Sequence, residues 1–173
     1  YFEFPEKVTK IGHSAFAYTL LSGALIIPND VVEIGNGAFY QTNISSLELP
    51  HNLKKIGEAA FHGCSSLSGA LSLPESLEYI GRIAFDGCKQ LTGTLSIPSK
   101  IKEIPEYCFS SCGFSGDLII PEGVIKIGAY AFYCCYDLNG RLSLPESLKE
   151  LGELAFYQSS FQGELVIPNQ IKI

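Results

Sequence analysis

The chain has 173 residues, of which 46% are hydrophobic and 17% charged, and its 12 Lys and Arg against 18 Asp and Glu give a net charge of −6. This is ample apolar material for a folded core and excludes a disordered chain. The negative charge argues against a nucleic-acid-binding protein, which needs a concentrated positive face, and no apolar run approaches the roughly 20 residues of a membrane-spanning helix.

The motif IGxxAF, or a near copy of it, recurs along the whole chain. The copies begin at Ile11, Ile34, Ile56, Ile80, Ile104, Ile127 and Leu151. A proline keeps step with them, at Pro5, Pro28, Pro50, Pro74, Pro98, Pro121, Pro145 and Pro168. Successive prolines are 23, 22, 24, 24, 23, 24 and 23 residues apart, and a period of this length predicts a solenoid of stacked coils.

Each repeat opens with a predicted strand that ends at the proline. The three residues before each proline read FEF, LII, LEL, LSL, LSI, LII, LSL and LVI, with large apolar residues one and three positions upstream. This alternation predicts a half-buried strand. Proline ends it because proline has no N–H for a ladder. A second extended piece then leads to the Ile or Leu of the motif and turns at the glycine.

A phenylalanine follows each of the first seven prolines by eleven residues. These are Phe16, Phe39, Phe61, Phe85, Phe109, Phe132 and Phe156. The small residue before each one predicts a tight helical or 3₁₀ turn whose aromatic ring points inward. Stacked coils would bring the rings into a row that serves as a structural spine, because no repeat can bury its ring alone.

One exposed position, five residues after the proline, alternates in charge. It holds Lys10, Glu33, Lys55, Tyr79, Glu103, Lys126 and Glu150. Like charges are never neighbours in this series. In a parallel, in-register stack this arrangement avoids repulsion between adjacent coils, so it supports the predicted stacking.

The repeat that starts at Pro98 departs most from the pattern, with Pro105 in place of the glycine and Cys108 in place of the alanine. Proline fixes φ near −65°, so this turn cannot require a positive φ. Either the glycines of the other repeats serve close packing, or this coil is locally bent.

With these positions aligned, the chain resembles the bacterial leucine-rich repeats of the BspA-like kind, whose pattern is roughly LxxIxIPxxVxxIGxxAFxxCxxL. The pattern stands here as LSLPESLEYIGRIAFDGCKQL over residues 71–91, and the resemblance covers essentially the whole chain. It implies an α/β-type leucine-rich repeat solenoid, a right-handed curved coil of about seven repeats of 22–24 residues. Short parallel strands and one-turn helical segments at AFxxC belong to that fold.

The resemblance also implies an extracellular or cell-surface bacterial protein that mediates adhesion or binds a host macromolecule, and it names no catalytic residues. We expect residues 1–173 to form a single solenoid domain. We further expect it to be a fragment of a longer chain, without terminal caps, whose export signal and anchor lie outside the sequence.

Four of the six cysteines share one position of the repeat, namely Cys64, Cys88, Cys112 and Cys135. The chain has no CxxC spacing for zinc, and in-register side chains point the same way, which is poor disulfide geometry. A structural column of small, buried, reduced side chains is therefore favoured, and Thr or Ser at this position in other repeats fits it. Cys108 and Cys134 remain candidates for a disulfide.

Five tyrosines lie around the phenylalanine turns of the later repeats, at Tyr107, Tyr130, Tyr133, Tyr136 and Tyr157. Exposed tyrosines are common binding anchors, which makes these five candidate binding residues. The alternative is that they pack against the solenoid wall. A second candidate face lies beside the prolines, with outward positions at Glu48, Ser72, Ser96, Ile119 and Ser143.

No GxSxG, P-loop, HExxH or GxGxxG motif is present, and His13, His51 and His62 fall at three different phases of the repeat. The sequence therefore predicts no catalytic residue, metal site or cofactor. It favours a non-enzymatic interaction scaffold whose partner is a protein or another host or matrix macromolecule, not a nucleic acid. A structural spacer presenting another domain and, more remotely, a β-helix-type polysaccharide-active enzyme remain open, as does the oligomeric state.

Overall fold

The computed structural model describes residues 3–5 and 7–171. Short parallel strands joined by turns make up this part of the chain. Its strands are β1 (Lys10–Ile11), β2 (Ser22–Ile26), β3 (Glu33–Ile34), β4 (Asn43–Glu48), β5 (Lys55–Ile56), β6 (Ser68–Ala70), β7 (Tyr79–Ile80), β8 (Gln90–Thr92), β9 (Glu103–Ile104), β10 (Leu118–Ile119), β11 (Lys126–Ile127), β12 (Leu142–Ser143) and β13 (Glu150–Leu151).

The strands pair in two sets of parallel ladders. The strands that open the motif pair in the orders β1-β3-β5-β7 and β9-β11-β13, and those before the prolines pair as β2-β4, β6-β8 and β10-β12. Equivalent repeat positions stand opposite each other, as Lys10 does opposite Glu33. The fold is therefore a parallel-strand solenoid of the leucine-rich repeat class, which confirms the prediction from the period and the resemblance.

The segments before the prolines alternate between core and solvent as predicted. Leu25 and Ile27 are each 2% exposed, whereas Ile26 between them is 61% exposed. Leu118 and Ile120 are likewise buried on either side of the exposed Ile119. The hydrogen-bonded strands cover only part of these segments, so the alternation extends further than the ladders do.

The one-turn helical segments expected at AFxxC are not formed in the described part of the chain. In the second coil, the Thr42 N–H donates to the Phe39 carbonyl three residues back, but Gly37 and Gln41 have φ of 60° and 52°. Left-handed residues at this spacing prevent the turns from joining into a helix. The Phe39 N–H instead donates along the stack to Ala60 O at 2.8 Å.

Where a glycine follows the motif Ile or Leu in the coils after the first, it lies in close contact with the backbone of the preceding coil. A Cβ on Gly81 would lie 2.2 Å from Glu58 N. A Cβ on Gly152 would lie 2.2 Å from Ala129 N. Neither glycine has a positive φ. The structure therefore supports close packing as the reason for glycine here.

Pro105 interrupts the ladder of motif strands. Elsewhere the glycine N–H donates to the motif residue of the preceding coil, as Gly81 does to Ile56 O at 2.8 Å. Proline has no such hydrogen, and β7 and β9 are not paired. A surface cleft of about 420 Å³ opens at this junction beside Tyr79 and Lys102. Close packing thus accounts for the glycines of the other coils, and Pro105 removes one hydrogen bond from the ladder.

Candidate functional site

The seven phenylalanines of the motif lie in one row along the stack. Neighbouring ring centroids are 5.2–5.7 Å apart and the ring planes differ by 5–18°. The five central rings are fully buried, at Phe39, Phe61, Phe85, Phe109 and Phe132. Phe16 and Phe156 lie half-buried at the two ends of the row. The rings that hold the coils together therefore lie inside the solenoid, and the outer surface of the turns is available for other contacts.

Four cysteines form a column beside this row, and each thiol donates to a phenylalanine carbonyl in the preceding coil. The Sγ–O distances are 3.1 Å for Cys64 to Phe39, 3.2 Å for Cys88 to Phe61, 3.2 Å for Cys112 to Phe85 and 3.1 Å for Cys135 to Phe109. Ser159 makes the same bond to Phe132 at 3.4 Å. The position therefore selects a small side chain with one hydrogen to donate.

Burial keeps these thiols protonated. It raises the pKa of Cys88 and of Cys112 well above the ordinary thiol value and raises the pKa of Cys135 to about 12. A thiol in this state donates a hydrogen bond but is a poor nucleophile and a poor metal ligand. All six cysteines are free, including Cys108 and Cys134. Residues 3–5 and 7–171 contain no group of three His, Cys, Asp or Glu side chains arranged for a metal ion.

The five tyrosines of the later repeats come together on the outside of the turns, and we call this group the tyrosine surface. Tyr107 stacks on Tyr130 at 4.6 Å and 2°, Tyr130 meets Tyr133 edge to face at 5.5 Å, and Tyr133 stacks on Tyr157 at 5.2 Å and 12°. Tyr136 is 58% exposed and Tyr157 45% exposed, whereas the other three rings are half-buried.

Gln158 connects Tyr136 to the rest of the tyrosine surface. The Tyr136 hydroxyl donates to Gln158 Oε1 at 3.2 Å, and the Cys134 thiol donates to the same oxygen at 3.1 Å. A hydrogen bond with the Cys134 thiol also raises the pKa of Tyr133 and that of Tyr136. The hydroxyls of these tyrosines therefore remain protonated and neutral at ordinary pH.

Carboxylates lie close enough to Tyr107 to affect its pKa. The pKa of Tyr107 is raised first by loss of solvation, then by Tyr130 and by the carboxylates of Glu106, Asp86 and Glu153. Negative charge near a phenol disfavours the phenolate. Cations lie nearby as well, because Arg82 is 2.8 Å from Glu106 and Lys89 lines the same cavity as Tyr136 and Asp137.

A second aromatic group, not predicted from the sequence, lies on the turns of the first coils. Tyr18 lies against Tyr40 with centroids 5.0 Å apart, Tyr40 stacks on His62 at 4.9 Å, and His62 Nδ1 lies 3.1 Å from Asp86 Oδ2. Tyr40, His62 and Asp86 each directly follow a motif phenylalanine. Equivalent positions stack on one another, so comparing this position in every repeat would have placed Tyr40, His62 and Asp86 side by side, although not Tyr18.

The alternating charges lie next to one another along the stack and form ion pairs between coils. Glu33 lies 3.0 Å from Lys10 and 3.2 Å from Lys55, and Lys126 lies 3.5 Å from both Glu103 and Glu150. Hydrogen bonds from the two lysines lower the pKa of Glu33. Exposed pairs of this kind contribute about 0.2–1 kcal/mol each, so their main effect is on register.

The face beside the prolines is the other candidate surface. Ile119 and Val166 are each 64% exposed and flank the exposed Ser143. A shallow cavity of about 390 Å³ lies between them, edged by the ion pair of Arg141 and Asp117 at 3.7 Å. In the strands that border it, this face offers aliphatic and hydroxyl side chains but no aromatic ring. It is therefore a weaker candidate than the tyrosine surface for an anchored contact.

Comparison with known proteins gives a consistent family. The profile described as BspA type leucine rich repeat region matches residues 1–115 and 69–173, with 6 copies. No curated protein sequence matches the chain. No helix within the described ranges is long and apolar enough to cross a membrane.

Three solved structures share the fold. A leucine-rich repeat protein from Bacteroides ovatus is 26% identical, with a TM-score of 0.67 over 95% of this chain and 48% of its own length. The T. pallidum leucine rich repeat protein is 33% identical, with a TM-score of 0.69 over 78% of this chain and 64% of its own. A leucine rich cell surface protein from Faecalibacterium prausnitzii is 23% identical, with a TM-score of 0.52 over 92% of this chain and 59% of its own. The chain thus spans about half of the first protein and less than two thirds of the other two.

Proposed function

Because the chain belongs to the BspA-type leucine-rich repeat family, we propose that it is a non-enzymatic scaffold that binds proteins outside a bacterial cell. In this role residues 1–173 act as one solenoid domain that mediates adhesion to a host or matrix macromolecule and needs no cofactor. The observation that carries the proposal is the tyrosine surface, where large rings stand outside a stack whose cohesion is already supplied from within.

The chemistry of the described residues supports a binding role over a catalytic one. The buried thiols are held protonated, and they are occupied as donors to phenylalanine carbonyls. The carboxylates of the charge series are paired with lysines on an exposed face. A hydrolytic enzyme needs acidic and basic groups that converge on an enclosed pocket, and these groups face open solvent instead.

The proposed location outside the cell rests on the family. One protein that shares the fold, from Faecalibacterium prausnitzii, is named a leucine rich cell surface protein. A rigid solenoid displayed at a surface presents an extended side to a partner.

Attachment of coated particles tests the proposal. Fluorescent beads carrying the chain should adhere to cultured host cells or to decellularised matrix more than beads carrying an unrelated leucine-rich repeat solenoid of equal length. Beads carrying Tyr136→Ser/Tyr157→Ser should lose most of that attachment. Equal attachment by the chain and the unrelated solenoid would refute the adhesive function.

The same experiment distinguishes a spacer from a binder. A spacer serves only through its length, so the unrelated solenoid should replace it without loss of adhesion by whatever domain it presents. A binder should not survive that exchange.

A further inference from the structure

One junction between neighbouring coils lacks the strand pairing that holds the others together. It lies between the fourth coil, residues 74–97, and the fifth coil, residues 98–120. In the described part of the chain, every other pair of neighbouring coils shares at least one parallel ladder, whereas these two share none. One ladder of motif strands ends at β7, and a separate one begins at β9.

The missing backbone bonds involve two positions of the fifth coil. Pro105 has no N–H to donate to the motif residue of the coil before it. Four residues after the repeat proline, the N–H donates to the preceding coil in the second, third, fourth, sixth and seventh coils, as Glu78 does to Lys54 O at 2.9 Å. Lys102 holds this position in the fifth coil, and its N–H makes no such bond to any described residue. Two of the bonds that tie a motif strand to its neighbour are therefore absent here.

The phenylalanine turns and the loops after them still join the two coils. The Phe85 N–H donates to Cys108 O at 2.9 Å, and the Phe85 and Phe109 rings stack with centroids 5.7 Å apart. A Cβ on Gly113 would lie 2.7 Å from Lys89 O, so the two backbones approach closely after the turn. On the side of the motif strands, the cleft of about 420 Å³ lies between the coils instead.

Two ion pairs cross the junction beside this cleft. Arg82 lies 2.8 Å from Glu106, and Lys100 lies 3.8 Å from Glu78. The four side chains are 39–56% exposed. Exposed ion pairs are weak and are screened by salt, so they replace the missing ladder only in part.

We propose that the solenoid opens first at this junction, where two folded blocks separate. The first block is residues 7–97 and the second block is residues 98–171. In a stack of repeats each coil contacts only its neighbours, so the stability of each junction depends on its own contacts. Opening any other junction breaks a ladder as well as the turn bonds, whereas opening this one breaks no ladder.

The two blocks carry different aromatic groups. Tyr18, Tyr40 and His62 belong to the first block, and all five rings of the tyrosine surface belong to the second block. Opening of the junction therefore changes the distance and the angle between the two groups without disturbing the contacts inside either one. The inference does not depend on the proposed function.

Hydrogen exchange of the backbone amides, followed residue by residue by NMR, tests the proposal. The informative amides donate to the next coil from equivalent positions of the phenylalanine turns. The crossing amides are Ile83, Phe85 and Gly87, the preceding amides are Ala59, Phe61 and Gly63, and the following amides are Tyr107, Phe109 and Ser111. We expect protection factors of the crossing amides to be at least about tenfold lower than those of the other two sets, because two backbone bonds are missing from their junction.

This expected order is the reverse of fraying from the ends. Terminal coils of a stack open most easily, so a uniform solenoid would protect the amides near its middle best. Equal protection of the three sets, or the highest protection in the crossing amides, would overturn the proposal. Equally low protection of the crossing and following amides would also overturn it, since the second block would then unfold and not separate.

A substitution at Pro105 tests the cause. Pro105→Gly restores an N–H at the motif position, so it should raise the protection of the crossing amides relative to the preceding amides by about threefold to tenfold. Pro98→Gly makes the same replacement in the same coil but outside the ladder of motif strands, and it should not raise this ratio. Both sets belong to one molecule, so a general loss of stability does not imitate the effect. An unchanged ratio in Pro105→Gly would refute the missing bonds as the cause.

The ion pairs across the junction give a second, independent variant. Arg82→Gln/Lys100→Gln removes both pairs and should lower the ratio by about threefold. Lys10→Gln/Lys126→Gln removes the same charge from pairs at other junctions and should leave the ratio unchanged. Equal changes in the two double variants would mean that net charge, and not this junction, controls the opening, and would contradict the proposal.

Discussion

Replacement of Gly81 by alanine tests whether the coils are as close as the structure indicates. A Cβ at this position would lie 2.2 Å from Glu58 N and 2.5 Å from Gly57 C, and backbone atoms cannot rotate away. The coils would have to separate, which would break the 2.8 Å bond from the Gly81 N–H to Ile56 O. Overpacking costs about 1–3 kcal/mol, and an unpaired buried backbone group costs about 1–3 kcal/mol. We expect Gly81→Ala to lower the free energy of unfolding by about 3 kcal/mol.

Gly12 provides the matched control, because it occupies the same repeat position in the first coil. Apart from Gly12 and its two chain neighbours, no described residue has a heavy atom within 4 Å of a Cβ built on it, and its φ is not positive. Gly12→Ala should therefore stabilise the protein by about 0.4–1 kcal/mol, through lower entropy of the unfolded chain.

Urea unfolding followed by circular dichroism measures both effects. With a slope of about 1–3 kcal/mol/M, Gly81→Ala should lower the midpoint by roughly 1–3 M, while Gly12→Ala leaves it unchanged or raises it slightly. Changes of the same sign and size in both variants would refute close packing as the role of this glycine.

Three further predictions address the interior and the charges. Phe85→Ala removes a fully buried ring and should cost about 3–5 kcal/mol of unfolding free energy, whereas Phe16→Ala at the half-buried end of the row should cost less in the same urea titration. Cys112→Ala removes the donor to a phenylalanine carbonyl and should cost about 1–3 kcal/mol, whereas Cys112→Ser should be the milder change in thermal melts because Ser159 already makes this bond. Glu33→Gln should cost about 0.5–1 kcal/mol at pH 7. Its two lysine partners lower the pKa of Glu33 in the folded protein. The ion pairs therefore stabilise the fold fully above the ordinary carboxyl pKa of about 4.3, and this stabilisation is lost as the pH falls through the lowered pKa of the folded state. Chemical unfolding of wild type and Glu33→Gln at pH 7 and pH 3 should show the difference disappear at the lower pH.

Much of the interior follows from the repeat period. When coils stack in register, residues one period apart become neighbours, so Phe61 must meet Phe39 and Phe85, and Glu33 must meet Lys10 and Lys55. The grouping of Tyr133 with Tyr157 follows in the same way. These contacts can be predicted from the sequence because stacking in register places residues at the same repeat position next to each other.

Contacts between different phases of the repeat could not be found in that way. Cys64 donates to Phe39, a full coil and three positions earlier, and Tyr130 joins Tyr133 within a single turn. These contacts depend on the offset between coils and on the path of the turn. Neither property is encoded in the spacing of the repeat.

The sequence by itself determined the solenoid, its inward-facing residues and the row of phenylalanines, because period and alternation are properties of the chain alone. The conformation of the phenylalanine turn was decided by the tertiary structure. Ala59 and Ile83 adopt φ of 54° and 50°, which local sequence disfavours, and they do so because their N–H groups can then donate to the next coil at 2.9 and 3.0 Å. In a helical turn these N–H groups would donate to carbonyls of the same turn and not to the neighbouring coil. The acceptor carbonyls of that coil are present only in the stacked structure, and they favour the left-handed conformation.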